Sequence, residues 1–394
     1  MRLPGFLREP ARRVVRRLPG LFKHWPIVLD TVRHVVAGRQ QIVVIGGHGG
    51  EAYDDNSRAV ARFYARDPGY KVFWIYERKS VRKAVKNRKI VLLKRGSPRA
   101  ELITMTAHLV AYSHGISDIT RIPQKDYPWR KVLYLGHGCW GFKRIERRAG
   151  SEAQKLFDYT IAVSEEERQI KSQVLGISPD RVFPVGLPKH DSFVRARDVN
   201  SPQKMPIILY APTWRDWLQH KPSDRAVELH FSGLAQLLSG CPIKDELGKN
   251  YRLIYLLHKN IRGLKTKAQD YAGNYDVEVK SSHDVDVNAL LRSAKYLITD
   301  YSGVFWDFIM QDKTAARFLY DESIYNALVG TYPSIDEKAA RATFRQSEAL
   351  WNFLLSEEGS VVCGDIAQSV APYSDGRSCE KLALEMDKSA VGRV

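Results

Sequence analysis

At 394 residues the chain is too long for one typical core and long enough for two, and 44% apolar content with eight Trp and nineteen Tyr marks a folded protein. Its formal charge of +17 points to an anionic partner: nucleic acid, anionic lipid or a phosphorylated substrate. Cys139, Cys241, Cys363 and Cys379 stand far apart without a CxxC pair or Cys/His cluster, and no apolar run is long enough to span a bilayer, which argues against a zinc ribbon, a disulfide framework or a membrane-spanning helix and fits a reducing cytosol.

Residues 1–40 hold eight Arg and one Lys against Glu9 and Asp30, so +7 of the charge sits in this stretch. Val14, Leu18, Leu21, Phe22, Trp25 and Val28 recur at helical spacing, with Arg12, Arg13, Arg16 and Arg17 opposite or flanking them. Pro19 and Pro26 favour two short helices over one. Such a segment either lies in an anionic membrane surface or packs as an ordinary basic helix.

From residue 41 onward short apolar runs alternate with charged, helix-like stretches. "QIVVIGG" (41–47) and "YKVFWIYE" (70–77) flank a helical segment, a βαβ unit, and "KIVLL", "LVAYS", "KVLYLG", "YTIAVS" and "RVFPVG" continue the series to about residue 190. The polar stretch 192–206 reads as a linker. A second series follows: "IILYAPT" (207–213), "RLIYLLH" (252–258), "YDVEVK" (275–280), "KYLITD" (295–300) and "KTAARFLY" (313–320). The expected domains are a basic segment 1–40, α/β domains at 41–195 and 205–374, and a tail 375–394 packing back on the cleft.

Ligands of doubly wound sheets bind beyond the carboxyl ends of the strands, so the strand ends are where chemistry is expected. "YLITDYSGVFWDF" (296–308) is a strand, a tight turn with Asp300, Ser302 and Gly303, then a helix, which makes a phosphate-binding corner or a simple helix cap. "ILYAPTWRD" ends a strand on Thr213 and Arg215, a hydroxyl and a guanidinium suited to phosphate oxygens or simply solvated in a loop, and "IYLLHKN" ends one on His258, a ligand-facing or an ordinary buried histidine. "GGHGGEA" (46–52) has the GxGxxA form, but the acidic partner of a dinucleotide fold is not at its expected distance. Asp284 and Asp286 form a DxD better read as helix caps than as a metal site.

"GHGCWGFKR" (136–144), "VGLPKHD" (185–191), "ILYAPTWRD" (208–216), "LLHKN" (256–260), "DVNALL" leading into "LITDYSGVFWDF" (286–308) and "DGRS" (375–378) occur in the order of the CDP-glycerol glycerophosphotransferase family, which the chain resembles. With "GGHGGEAYDDNSRA" the likeness covers about residues 42–386. It implies a GT-B architecture, two Rossmann-like domains facing across a cleft, with the donor on the second domain and the acceptor on the first.

It further implies attack of an acceptor hydroxyl on the β-phosphorus of CDP-glycerol or another CDP-polyol, releasing CMP and leaving a phosphodiester. His137 and His258 fall on the family's catalytic positions, with His137 the expected base. Thr213, Arg215, Asp300, Ser302, Gly303 and Arg377 fall on the donor side, and Gly136, Gly138, Lys143, Asp54 and Asn56 on the acceptor side. The expected acceptor is a lipid-linked, polyprenyl-diphosphate saccharide in teichoic acid or capsule synthesis, at the cytoplasmic face of an anionic membrane. No cofactor, metal or nucleic acid is expected. Cys139-Trp140, Lys259, Lys189-His190 and Gly303 depart from the family's usual residues, and the runner-up reading is a GT-B glycosyltransferase using a nucleotide-sugar.

Overall fold

A computed structural model describes residues 40–121, 127, 129–144, 157–195, 205–218, 222–273, 275–282, 285 and 287–391. The basic segment with Arg12, Arg13, Arg16, Arg17 and Trp25, and the DxD acids Asp284 and Asp286, lie outside the described residues. Among the described residues no helix is long and apolar enough to cross a membrane.

Two parallel sheets carry the fold. The first contains β1 (Gln41–Gly46), β2 (Tyr70–Tyr76), β3 (Ile90–Lys94), β4 (Leu109–Tyr112), β5 (Lys131–Tyr134), β6 (Tyr159–Ala162) and β7 (Val182–Pro184), in the order β3-β2-β1-β4-β5-β6-β7. Its central strands are continuous apolar runs because both faces are covered: Ile42, Val43, Val44 and Ile45 have no exposed surface.

The second contains β8 (Ile207–Tyr210), β9 (Arg252–Leu257), β10 (Val277–Ser281), β11 (Ala294–Thr299), β12 (Thr314–Phe318) and β13 (Thr343–Phe344), in the order β10-β9-β8-β11-β12-β13. Each pairing in this sheet is parallel. Its core joins Tyr210, Tyr255 and Ile298 to Phe231 and Leu234 of the helix Asp224–Ser239 and to Trp351. Trp351 buries its indole while donating Nε1–H to the Leu237 carbonyl at 2.9 Å, so its one polar atom is satisfied.

The described residues divide into two compact units, those up to 135 with 157–160, and 136–144 with those from 161 onward. Within the second unit, hydrogen bonds tie residues 163–191 to residues 373–379. Asp191 accepts from the N–H groups of Ser378 and Cys379 at 2.8 and 2.9 Å, capping the helix Ser378–Val391, and Tyr373 N–H donates to the Val163 carbonyl at 3.3 Å. Gly186, at φ 83°, sits where an added Cβ would lie 2.6 Å from the Tyr373 carbonyl oxygen, so close approach here requires glycine.

Candidate active site

In the second sheet β9, β8 and β11 are neighbours, and the strand order reverses at β8/β11. The turns after these strands therefore emerge side by side at a topological switch point. Asp300, following β11, binds them together: its Oδ1 accepts from Thr213 N–H at 2.7 Å and from Tyr301 N–H at 2.6 Å. His258, following β9, stacks on Trp214 with ring centroids 5.5 Å apart and planes 18° apart. Its Nδ1 accepts from Asn260 N–H at 3.3 Å, which places the proton of the neutral ring on Nε2. Ser302 Oγ accepts from Val304 N–H at 3.4 Å at the start of the helix Val304–Ile309. The Thr213 hydroxyl is buried with no hydrogen-bond partner among the described residues, an atom available to a ligand.

Arg215, expected on the donor side, is enclosed by carboxylates. It is 1% exposed, grips Asp321 through Nε and Nη2, both at 2.8 Å, lies 2.9 Å from Asp300 and donates to the Thr213 carbonyl at 2.6 Å. Burial works against its charge, but Asp300 and Asp321 overcome this and hold the guanidinium charged far above neutrality. Arg215 thus shapes the Thr213 turn from beneath it. Arg317 is a second guanidinium with no exposed surface, donating to the Asp300 carbonyl at 2.9 Å, pairing with Asp336 at 2.7 Å and lying 3.7 Å from the centroid of Phe142.

The loop 136–144 belongs to the same unit. Gly136 takes φ 61°, and His137 is exposed while its backbone is held: its carbonyl accepts from Lys189 Nζ at 2.7 Å. Trp140 N–H donates to Glu167 at 2.7 Å, Tyr332 N–H donates to the Gly141 carbonyl at 3.3 Å, and Phe142 stacks on Trp306 at 4.5 Å. Burial pushes the Cys139 thiol up, reinforced by Glu167 and Asp307, so this residue is an inert packing group. Gly138 and Lys143 are partly exposed in this loop.

The Lys189-His190 pair converges on one carboxylate, Asp307, at 2.7 Å from Lys189 and 3.0 Å from His190 Nε2. His190 Nδ1 reaches Ser374 Oγ at 3.0 Å. Burial opposes ionisation of Asp307, yet Lys189 and His190 hold its carboxyl below the usual range. Nothing in the structure requires glycine at 303, where an added Cβ would make only an ordinary 3.7 Å contact with the Cys139 carbonyl oxygen.

Arg377 is exposed and pairs with Glu380 at 2.8 Å. In the first unit Asn56 has no exposed surface and donates to the Leu135 carbonyl at 3.4 Å, so it holds backbone instead of facing a ligand, while Asp54 lies 3.3 Å from His48. Asp307, Asp321 and Arg317 escaped the sequence reading. Asp307 could have been found as the lone acid in the apolar helix "VFWDFI", and Asp321 as the acid just beyond β12.

These paired parallel sheets define a GT-B-like fold. The chain superposes on the wall teichoic acid polymerase TagF with a TM-score of 0.66 at 18% identity, covering 96% of this chain and 97% of that one. It belongs to the CDP-Glycerol:Poly(glycerophosphate) glycerophosphotransferase family, whose profile matches residues 29–385. It is 29% identical over 239 residues to the teichoic acid glycerol-phosphate primase of Bacillus subtilis, covering 57% of this chain and 56% of that protein. With the teichoic acid poly(glycerol phosphate) polymerase of Staphylococcus epidermidis it shares 28% over 181 residues, 43% of this chain and 24% of the other. The chain thus spans about half or less of the length of these relatives.

Proposed function

We propose that the protein transfers glycerol phosphate, or a related polyol phosphate, from a CDP-alcohol to a hydroxyl of a lipid-linked acceptor in teichoic acid synthesis. The observation that carries this reading is the convergence of His258, Thr213 and the 300–304 turn on three adjacent strand ends, in a chain of the glycerophosphotransferase family.

In this reading the exposed His137 imidazole takes the proton of the acceptor hydroxyl as its oxygen bonds to the β-phosphorus. The bond from that phosphorus to the bridging oxygen breaks, and CMP departs with the electron pair. His258, with Nε2–H as donor, the Thr213 hydroxyl and the Ser302 turn stabilise charge on the transferred phosphoryl group and CMP. Arg215 contributes from below, by fixing Thr213 and Asp300. The +7 segment 1–40 would hold the protein at an anionic membrane surface.

The test is incubation with CDP-glycerol, CDP-ribitol and UDP-sugars, with and without a lipid-linked polyol-phosphate acceptor, identifying the released nucleotide. CMP released only with acceptor, and lost in a folded His137→Ala protein, is expected. UDP released from a UDP-sugar would move the protein to glycosyl transfer, and wild-type transfer by His137→Ala would remove the base.

A further inference from the structure

The first sheet also has a switch point. Its strand order reverses at β1/β4, and the turns leaving these two strands carry His48 and His114. The two rings lie with centroids 3.8 Å apart, and a donor atom from each of His48, His114 and Asp55 falls within 4.8 Å of the others.

We propose that His48, Asp55 and His114 form a binding site for a first-row divalent metal ion. Two imidazole nitrogens and one carboxylate oxygen are a donor set for Zn²⁺ and its neighbours more than for Mg²⁺ or Ca²⁺, and three protein ligands leave room for an oxygen donor from solvent or substrate.

The surroundings fit such a site. Asp118, 1% exposed, accepts from Gly49 N–H at 2.7 Å and from His114 N–H at 2.9 Å, so one buried carboxylate locks both ligand-bearing turns together. The His48 ring is oriented by the protein: its Nε2 lies 3.3 Å from the Asp54 carboxylate. An outer carboxylate of this kind sets the tautomer and angle of a metal-binding imidazole. Among the described residues only His48 (φ 50°), Asp55 (φ 59°) and Asp312 combine a side chain with left-handed backbone, so two of the three strained positions are ligands of this site. The Asp54 and Asp118 carboxylates lie 3.3 and 3.8 Å from ring nitrogens of His48 and His114.

The experiment is calorimetric titration of tag-free, EDTA-stripped full-length protein with Zn²⁺ alone, without donor or acceptor, so that it is independent of the transfer reaction. One equivalent is expected, with affinity at least about tenfold weaker in His48→Ala and in His114→Ala. Circular dichroism of each variant without metal checks folding, and should one misfold, His114→Gln or Asp55→Asn takes its place. No binding to wild type, or undiminished binding in the folded variants, overturns the site.

Discussion

Replacing Lys189 by Met keeps most of the side chain's length and removes its charge. The ammonium joins the Asp307 carboxylate and the His137 carbonyl, both at 2.7 Å, with its side chain only 11% exposed. A hydrogen bond from a charged group contributes about 1.5–3 kcal/mol. If the bond to His137 is what places the imidazole in the transition state, its loss corresponds to roughly 10- to 150-fold in kcat. His190 remains on Asp307, so the carboxylate is not abandoned and the fold should survive. Steady-state CMP release by Lys189→Met should show the fall in kcat, with KM for the CDP-alcohol little changed because the Thr213 and Ser302 turns are untouched. A folded variant with wild-type kcat would refute the argument that this lysine positions His137.

Asp321→Ala removes the fork from a buried guanidinium and leaves Arg215 with Asp300 as its carboxylate, a change expected to cost about 1.5–3 kcal/mol. Urea unfolding should show the midpoint falling, and an unchanged midpoint would remove Arg215 as an anchor of the donor turn. His230 sits between the Tyr255 and Tyr320 hydroxyls, and burial pushes its pKa down to about 3. An unfolded histidine titrates near ~6.5, so the unfolded chain takes up this proton first and stability falls as pH drops through ~6.5 toward 3, by up to ~1.4 kcal/mol per pH unit. Urea midpoints at neutral and mildly acidic pH should therefore fall less steeply in His230→Gln than in wild type, and parallel slopes would contradict the assignment.

The strands were legible because parallel sheets covered on both faces demand apolar runs, and "QIVVIG" and "RLIYLL" are such runs. Their ends were overestimated by a few residues: "IILYAPT" pairs only through Tyr210, and the remainder is the turn that carries Thr213. His258, Thr213 and Ser302 could be found because strand ends are where this topology exposes ligating groups. The enclosure of Arg215 was not legible, because residue type cannot tell a guanidinium facing solvent from one held by Asp321, 106 positions away. The His48 and His114 pair was equally hidden, since 66 residues separate them and only the β1/β4 adjacency unites them.

The capping of the helix Ser378–Val391 by Asp191 has a consequence for biogenesis. On a ribosome, residues 161–191 emerge long before the segment 373–379 that completes their hydrogen bonds, a separation of 187 positions for Asp191 and Ser378. Contacts so distant in sequence form slowly, and the waiting segment exposes its apolar side meanwhile. The second unit should therefore be the part of the nascent chain that chaperones hold, and the part that truncation near residue 370 leaves unfinished.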